Sequence, residues 1–162
     1  MKRLILPAAL AFAAALAAAP SHAQAASPEA EVRATVQRLF DSMRAADSTA
    51  MRSLFHPAAR LQRAAVNREG VAVLHTDSVD GFIRSVGGEH PEYDERISDL
   101  VVQVDGHLAQ VWMNFTFYLA GQKRHCGVNA AQLFRDADGW KFFQLADTAR
   151  MTDCPELPRG GA

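Results

Sequence analysis

Four runs of alternating apolar and polar residues, at 96–104, 107–119, 123–135 and 140–149, follow one another with only short polar breaks. The breaks are Asp105-Gly106, Ala120-Gly121-Gln122 and Asp136-Ala137-Asp138-Gly139. Alternation with a period of two marks a half-buried strand, and Asp-Gly between such runs is the strongest short hairpin signal. The second half of the chain is therefore constrained to a four-strand antiparallel meander.

Upstream the period lengthens to that of a helix. Ser27, Pro28 and Glu29 read as cap, first helical position and first-turn acid, and Val32, Val36, Leu39, Phe40 and Met43 follow on one face. Asp47 can cap a shorter helix that buries Met51, Leu54 and Phe55 and ends at Pro57. Two short strands between Ala59 and His75 flank a turn at Gly70, and a third helix carries Val79, Phe82, Ile83 and Val86 up to Gly87 and Gly88. Residues 89–95 read as a polar loop. Three helices with a hairpin among them, followed by a meander, make an α+β fold whose sheet curls around the helices.

The first 23 residues combine a basic start at Lys2 and Arg3, an apolar run and small residues at Ser21 and Ala23. This predicts a secretory signal peptide cleaved after Ala23, since the run is shorter than a bilayer span and is interrupted by Pro20. Residues 24–155 then form one domain and 156–162 a disordered tail. Lys2 and Arg3 are two of 17 basic side chains set against 18 acidic ones, so the processed chain is mildly acidic. It carries no basic footprint for nucleic acid, and no membrane span is expected after processing. Export to the periplasm or beyond is the expected localisation.

The two cysteines, Cys126 and Cys154, both lie in the exported part, where disulfides persist. A Cys126–Cys154 bond is the expected outcome; a free buried cysteine and a catalytic thiol are the alternatives. Adjacent residues on a strand point to opposite faces, so His125 is badly placed to serve as a base for the sulfur of Cys126. No histidine pair has metal-ligand spacing, and neither a nucleophile elbow nor a phosphate-binding glycine loop occurs. No metal or cofactor is expected.

Pairing 104 with 107, 120 with 123 and 135 with 140 assigns the two faces of the sheet. One face then carries Leu100, Val102, Val111, Met113, Phe115, Phe117, Cys126, Val128, Ala130, Gln132, Phe134, Phe143, Leu145 and Asp147, and meets the helices. Trp112, Asn114, Tyr118, His125, Asn129 and Phe142 lie opposite. That mixed face is either solvated or the contact surface of a homodimer through Trp112, Asn114, Tyr118 and His125. A shorter last turn would instead place Trp140, Phe142 and Gln144 inside.

In order and spacing the chain resembles the nuclear transport factor 2 superfamily, within it the secreted SnoaL-like and lumazine-binding-like groups. The matching stretches are "AADSTAMRSLFHPAARL", the hairpin, the third helix and "HCGVNAAQLFRDADGWKFFQLADT". The resemblance implies a cone-shaped curved antiparallel sheet wrapped around three N-terminal helices, commonly dimeric through its outer face, with a pocket inside. Members of the superfamily include ketosteroid isomerase, cyclases, hydrolases, dehydratases and plain binding proteins, so fold alone does not decide function. The isomerase's catalytic tyrosine, base and protonated aspartate would fall at Leu39, near Arg63, and at Ala130 or Ala131, so its chemistry is not expected here.

In such a cone the pocket would be lined by Phe40, Met43, Leu61, Phe82, Met113, Phe115 and Leu145, with Arg63, Gln132 and Asp147 as polar handles. This suits a small apolar or amphipathic molecule. Asp147 in an apolar cavity would be a candidate acid or base, as would His75 at the cavity mouth; the plainer reading of Asp147 is an ion pair with Arg63 or Arg150. An exported binding or accessory protein, an enzyme of the cyclase, isomerase or hydrolase type, and a dimeric scaffold without ligand are the three functional expectations.

Overall fold

The computed structural model describes residues 25–159; the expected signal peptide lies outside them. Three helices, α1 (Pro28–Arg44), α2 (Ser48–Ser53) and α3 (Val79–Val86), accompany six strands. The strands are β1 (Phe55–Val66), β2 (Ala72–Asp77), β3 (Tyr93–Asp105), β4 (Leu108–Leu119), β5 (Gln122–Asp136) and β6 (Gly139–Thr148). They form one curved, unclosed sheet in the order β2-β1-β6-β5-β4-β3, antiparallel throughout except where β1 runs parallel to β6.

The helix starts follow local chemistry. The side chains of Ser27, Asp47 and Ser78 accept from the backbone N–H of Ala30, Ala50 and Gly81, satisfying donors that the first turn leaves free. The apolar stripe of α1 (Val32, Val36, Leu39, Phe40 and Met43) is buried against the concave face of the sheet, where Ile97, Met113, Phe115, Leu133 and Phe142 meet it. Polar contacts fix the N-terminal end of α1: Glu31 accepts from the Trp140 indole N–H at 3.1 Å and pairs with Arg135 at 2.9 Å. The first strand, β1, begins earlier than Pro57 suggests, because Phe55 already pairs with Phe142 in β6.

The faces of β5 differ from those expected. Leu119 pairs with Gln122, and Arg124 is left without a partner between Tyr118–Lys123 and Phe117–His125. That one extra residue is a β-bulge, and it reverses the alternation of the whole strand. His125, Gly127, Asn129, Ala131 and Leu133 therefore face the helices, whereas Gln132 and Phe134 face outward and are exposed. At the last turn Arg135 does lie opposite Trp140, but Trp140 and Phe142 point inward. A second bulge at Phe143 then restores Leu145 and Asp147 to the inner face, opposite Ala131 and Asn129.

Gly127 is where β5 and the end of β6 come closest. A Cβ placed on it would lie 2.0 Å from the carbonyl oxygen of Thr148 and 2.9 Å from the Phe115 ring. Only glycine leaves room for that approach.

Beyond β6 the chain doubles back over the outer face of the sheet as a strap. Cys126 and Arg150 exchange backbone hydrogen bonds of 3.0 and 2.8 Å, and Cys126 and Cys154 form a disulfide. The carbonyls of Cys154, Pro155 and Leu157 accept from Lys123 Nζ, Thr116 Oγ1 and an Arg96 guanidinium nitrogen at 2.9, 3.0 and 2.7 Å. The Tyr118 hydroxyl donates to Glu156 at 2.8 Å and accepts from the Leu157 N–H at 3.2 Å. Thr116, Tyr118 and Cys126 are thereby buried on what would otherwise be open surface. The stretch from 156, expected to be disordered, is held in this way as far as Arg159, which pairs with Glu92 at 3.2 Å and Asp94 at 3.3 Å.

Closing a loop with a sequence separation of 28 stabilises the fold by about 3–4 kcal/mol on the chain-entropy model. The double substitution Cys126→Ser, Cys154→Ser should lower stability by about that amount in urea denaturation and make the strap protease-sensitive. An unchanged midpoint would show that the strap is held by its hydrogen bonds alone.

Candidate functional site

The concave face opens into a recess of about 120 Å3 between β1, β6, β5 and α3. Leu61, Phe82 and Leu145 form its apolar walls, Arg63, Asn129 and Asp147 its polar side, and Gln62 and Asp77 complete the lining. Strand register puts these groups together: Leu61 and Arg63 in β1 lie directly beside Leu145 and Asp147 in β6, and Asn129 in β5 beside Asp147. Phe82 is positioned from α3 by edge-on packing against Phe55, ring centroids 6.4 Å apart.

Arg63 grips Asp147 through two nitrogens, with Nε 2.9 and 3.1 Å from the two carboxylate oxygens and a second contact from its terminal nitrogen. Such forked pairing is stronger and more directional than a single hydrogen bond. The bond to Asp147 holds the Arg63 pKa above its ordinary value, so the guanidinium stays charged at neutral pH.

Glu95 stands beside this pair. Its carboxylate accepts from Asn129 Nδ2 at 2.7 Å. The residue keeps some accessible surface while its carboxyl is enclosed by protein. Burial pushes its pKa up to about 7; the Asn129 bond opposes this, the charge of Asp147 adds to it, and Arg63 opposes it more weakly. His125, two cross-strand neighbours away on the same face through Phe117, packs against the rings of Phe115 and Phe117 with centroids 5.7 and 5.1 Å distant. Burial, and then the charge of Arg63, lowers its pKa despite Asp147, so the imidazole is neutral at pH 7.

The raised Glu95 pKa has a measurable consequence. A carboxyl whose folded pKa lies above its ordinary value holds its proton in the native state, so the native fold is favoured at low pH and loses stability as pH rises through the window ending near 7. Glu95→Gln keeps the acceptor for Asn129 without the charge. At about pH 8 the variant should be more stable than the parent by up to about 3 kcal/mol, and at about pH 4 the two should match. Urea denaturation at both pH values checks this; parallel pH profiles for the two proteins would contradict it.

Of the residues expected to bind a ligand, Leu61, Arg63, Phe82, Leu145 and Asp147 line the recess. Phe40, Met43, Met113 and Phe115 are buried in the hydrophobic core that supports it. Gln132 is excluded from the inner site because the bulge at Arg124 turns it outward. His75 lies opposite Arg63 in β2 but is exposed, outside the recess lining. Of the four residues expected at an outer-face contact, Trp112 is exposed, Asn114 donates to Asp99 at 2.7 Å, Tyr118 lies under the strap, and His125 faces inward. Sequence reasoning missed Glu95, Asn129 and His125 as inner-site residues. The spacing of Glu95 and Ile97 carried a usable signal, since two residues apart on a strand share a face.

Comparison with known proteins agrees with this architecture. Residues 24–146 match the model of the SnoaL-like domain. An NTF2-like protein with a cystatin-like fold from Novosphingobium aromaticivorans superposes with a TM-score of 0.58 at 14% identity, covering 77% of this chain and 82% of that one. NTF2-like proteins from Cytophaga hutchinsonii (TM-score 0.60, 13% identity, 74% and 95% covered) and Pseudomonas putida (0.59, 14%, 81% and 94%) are similar to the same extent. No curated protein matches the sequence. With three helices against a curved sheet and the fold of those NTF2-like structures, and with a family match over most of its length, the chain belongs to the SnoaL-like domain family.

Proposed function

We propose that this is an exported protein that takes a small, largely apolar molecule into the inner recess and holds its polar end against Asn129 and the Arg63–Asp147 pair. The observation that carries the reading is the convergence of those three polar side chains on a recess walled by Leu61, Phe82 and Leu145. Apolar walls with a few oriented polar groups are the usual composition of ligand sites. The volume, about 120 Å3, is close to that of cavities that admit a single benzene-sized molecule, of order 150 Å3. Because Arg63 is already neutralised, an uncharged ligand with one hydroxyl or carbonyl fits better than an anion.

The disulfide favours an oxidising compartment, and no helix among the described residues is long and apolar enough to cross a membrane. Both agree with release into the periplasm or the medium.

Phenol, an aromatic ring with one hydroxyl, is a direct probe. It should perturb the NMR methyl signals of Leu61 and Leu145, and Leu145→Trp, which fills the recess, should abolish the effect. Shifts that survive Leu145→Trp would place the binding elsewhere.

A second reading, acid–base catalysis, is favoured by Glu95. A carboxyl that exchanges its proton near neutral pH is tuned for such work, and the neutral imidazole of His125 on the same face is a partner for it. In this reading Asp147 orients Arg63, and Glu95 rather than Asp147 or His75 moves the proton. Turnover of any substrate later identified should then fall with Glu95→Gln at unchanged fold; full activity in that variant would remove Glu95 from the chemistry.

A further inference from the structure

The outer face carries a second, larger recess of about 460 Å3, formed by two parallel cross-strand rows of side chains. In one row Val101, Trp112, Ala130 and Ala146 lie side by side on β3, β4, β5 and β6 and lead to Gln62 on β1. In the next row Gln103, Gln110, Gln132 and Gln144 do the same and end beside Arg60. Trp112 is 57% exposed, with Val101 beside it on β3 and only the small side chain of Ala130 beside it on β5, so its β5 side looks onto an alanine floor.

Except for Gln132, the amides of the row are each bonded to another glutamine. Gln110 donates to Gln103 at 2.5 Å, Gln144 to Gln62 at 2.8 Å, and Gln62 to Thr76 at 3.2 Å. Each glutamine carries one acceptor oxygen and one two-proton donor, so this pairing leaves capacity along the whole row. Among the described residues Gln132, in the middle, has no side-chain hydrogen bond at all, and no charged side chain lines the recess.

We propose that this trough binds a neutral saccharide, with a sugar ring laid over Ala130 and Ala146 against the Trp112 indole and its hydroxyls bonded to Gln110, Gln132 and Gln144. Hydroxyls both donate and accept, as the amides do, and the C–H face of a sugar ring offers the flat apolar surface that an exposed indole packs against. The volume lies within the range of small-molecule sites, roughly 300–1,000 Å3. A second copy of the chain is a poorer occupant. The glutamine row separates the exposed Val101 and Trp112 from the next exposed apolar pair, Leu108 and Phe134, and a homodimer interface needs a more continuous apolar core.

The test is saturation-transfer NMR of the full exported chain with maltohexaose, cellohexaose and N-acetylchitohexaose, together with sedimentation velocity. At least one oligosaccharide should receive signal that Trp112→Ala abolishes, that Gln132→Ala weakens by about fivefold in Kd, and that phenol does not compete for. Far-UV circular dichroism verifies that both variants are folded. The proposal is overturned if none of the three receives signal, if the signal survives Trp112→Ala, if phenol displaces it, or if the protein sediments as a dimer that Trp112→Ala dissociates.

Discussion

Gly127→Ala should prevent stable folding or cost more than about 4 kcal/mol, in the range of the severest single substitutions. The added Cβ would lie 2.0 Å from the Thr148 carbonyl oxygen, and neither partner can relieve the overlap by rotating a side chain, because the clash is with backbone. Relief would require β6 to move away from β5 at the point where Asp147 meets Asn129. The substitution therefore tests fold and site together. Soluble, cooperatively unfolding Gly127→Ala protein with parental stability would mean that the end of β6 does not cross Gly127 as described.

Asp94→Ala should cost about 3–5 kcal/mol, the usual penalty for removing one member of a buried charge network. Its side chain is fully buried, and its carboxylate receives Arg44 Nε at 2.9 Å, Arg96 Nε at 2.9 Å and Arg159 Nε at 3.3 Å. Those three arginines come from α1, β3 and the strap, so one carboxylate joins a helix, the sheet and the C-terminal segment. Burial acts to raise the Asp94 pKa, but the bonds from Arg44 and Arg96 outweigh it and hold the group below its ordinary 3.8. Stability from this network is therefore present above that value and is lost as pH falls through the folded pKa beneath it. Asp94→Asn, which keeps shape but not charge, should show much of the loss and flatten that acid limb. A variant as stable as the parent at neutral pH would show the arginines to be held by other means.

What was legible in the sequence were features written in neighbouring residues. Asp105-Gly106 marked a hairpin, Ser27 and Asp47 marked helix starts, and the two cysteines marked a bond that the structure contains. An ion pair at Asp147 was legible only as one of two, with Arg63 or with Arg150; strand pairing brings Arg63 beside it.

Features decided by distant pairing were not legible. Nothing in "QKRHCG" marks Arg124 as a bulge: the extra residue is accommodated because β4 and β6 bury Asn129 and Leu133 better than Gln132 and Phe134. That one residue turned His125 and Asn129 inward and Gln132 outward. Glu95 was hidden differently, since a polar stretch with a proline reads as a loop although its last residues, from Tyr93, already pair with β4. The strap was unreadable for a third reason: much of its hold comes from backbone carbonyls, which carry no residue-type signature.

The inner recess as a ligand site is tested most directly by native mass spectrometry of the protein isolated from the cells that make it, before and after denaturation, alongside Leu145→Trp. The expected result is an extra mass on the parent that denaturation removes and that the filled variant never carries. A bare mass for both proteins, together with no response of the parent to phenol, would contradict the recess as a binding site.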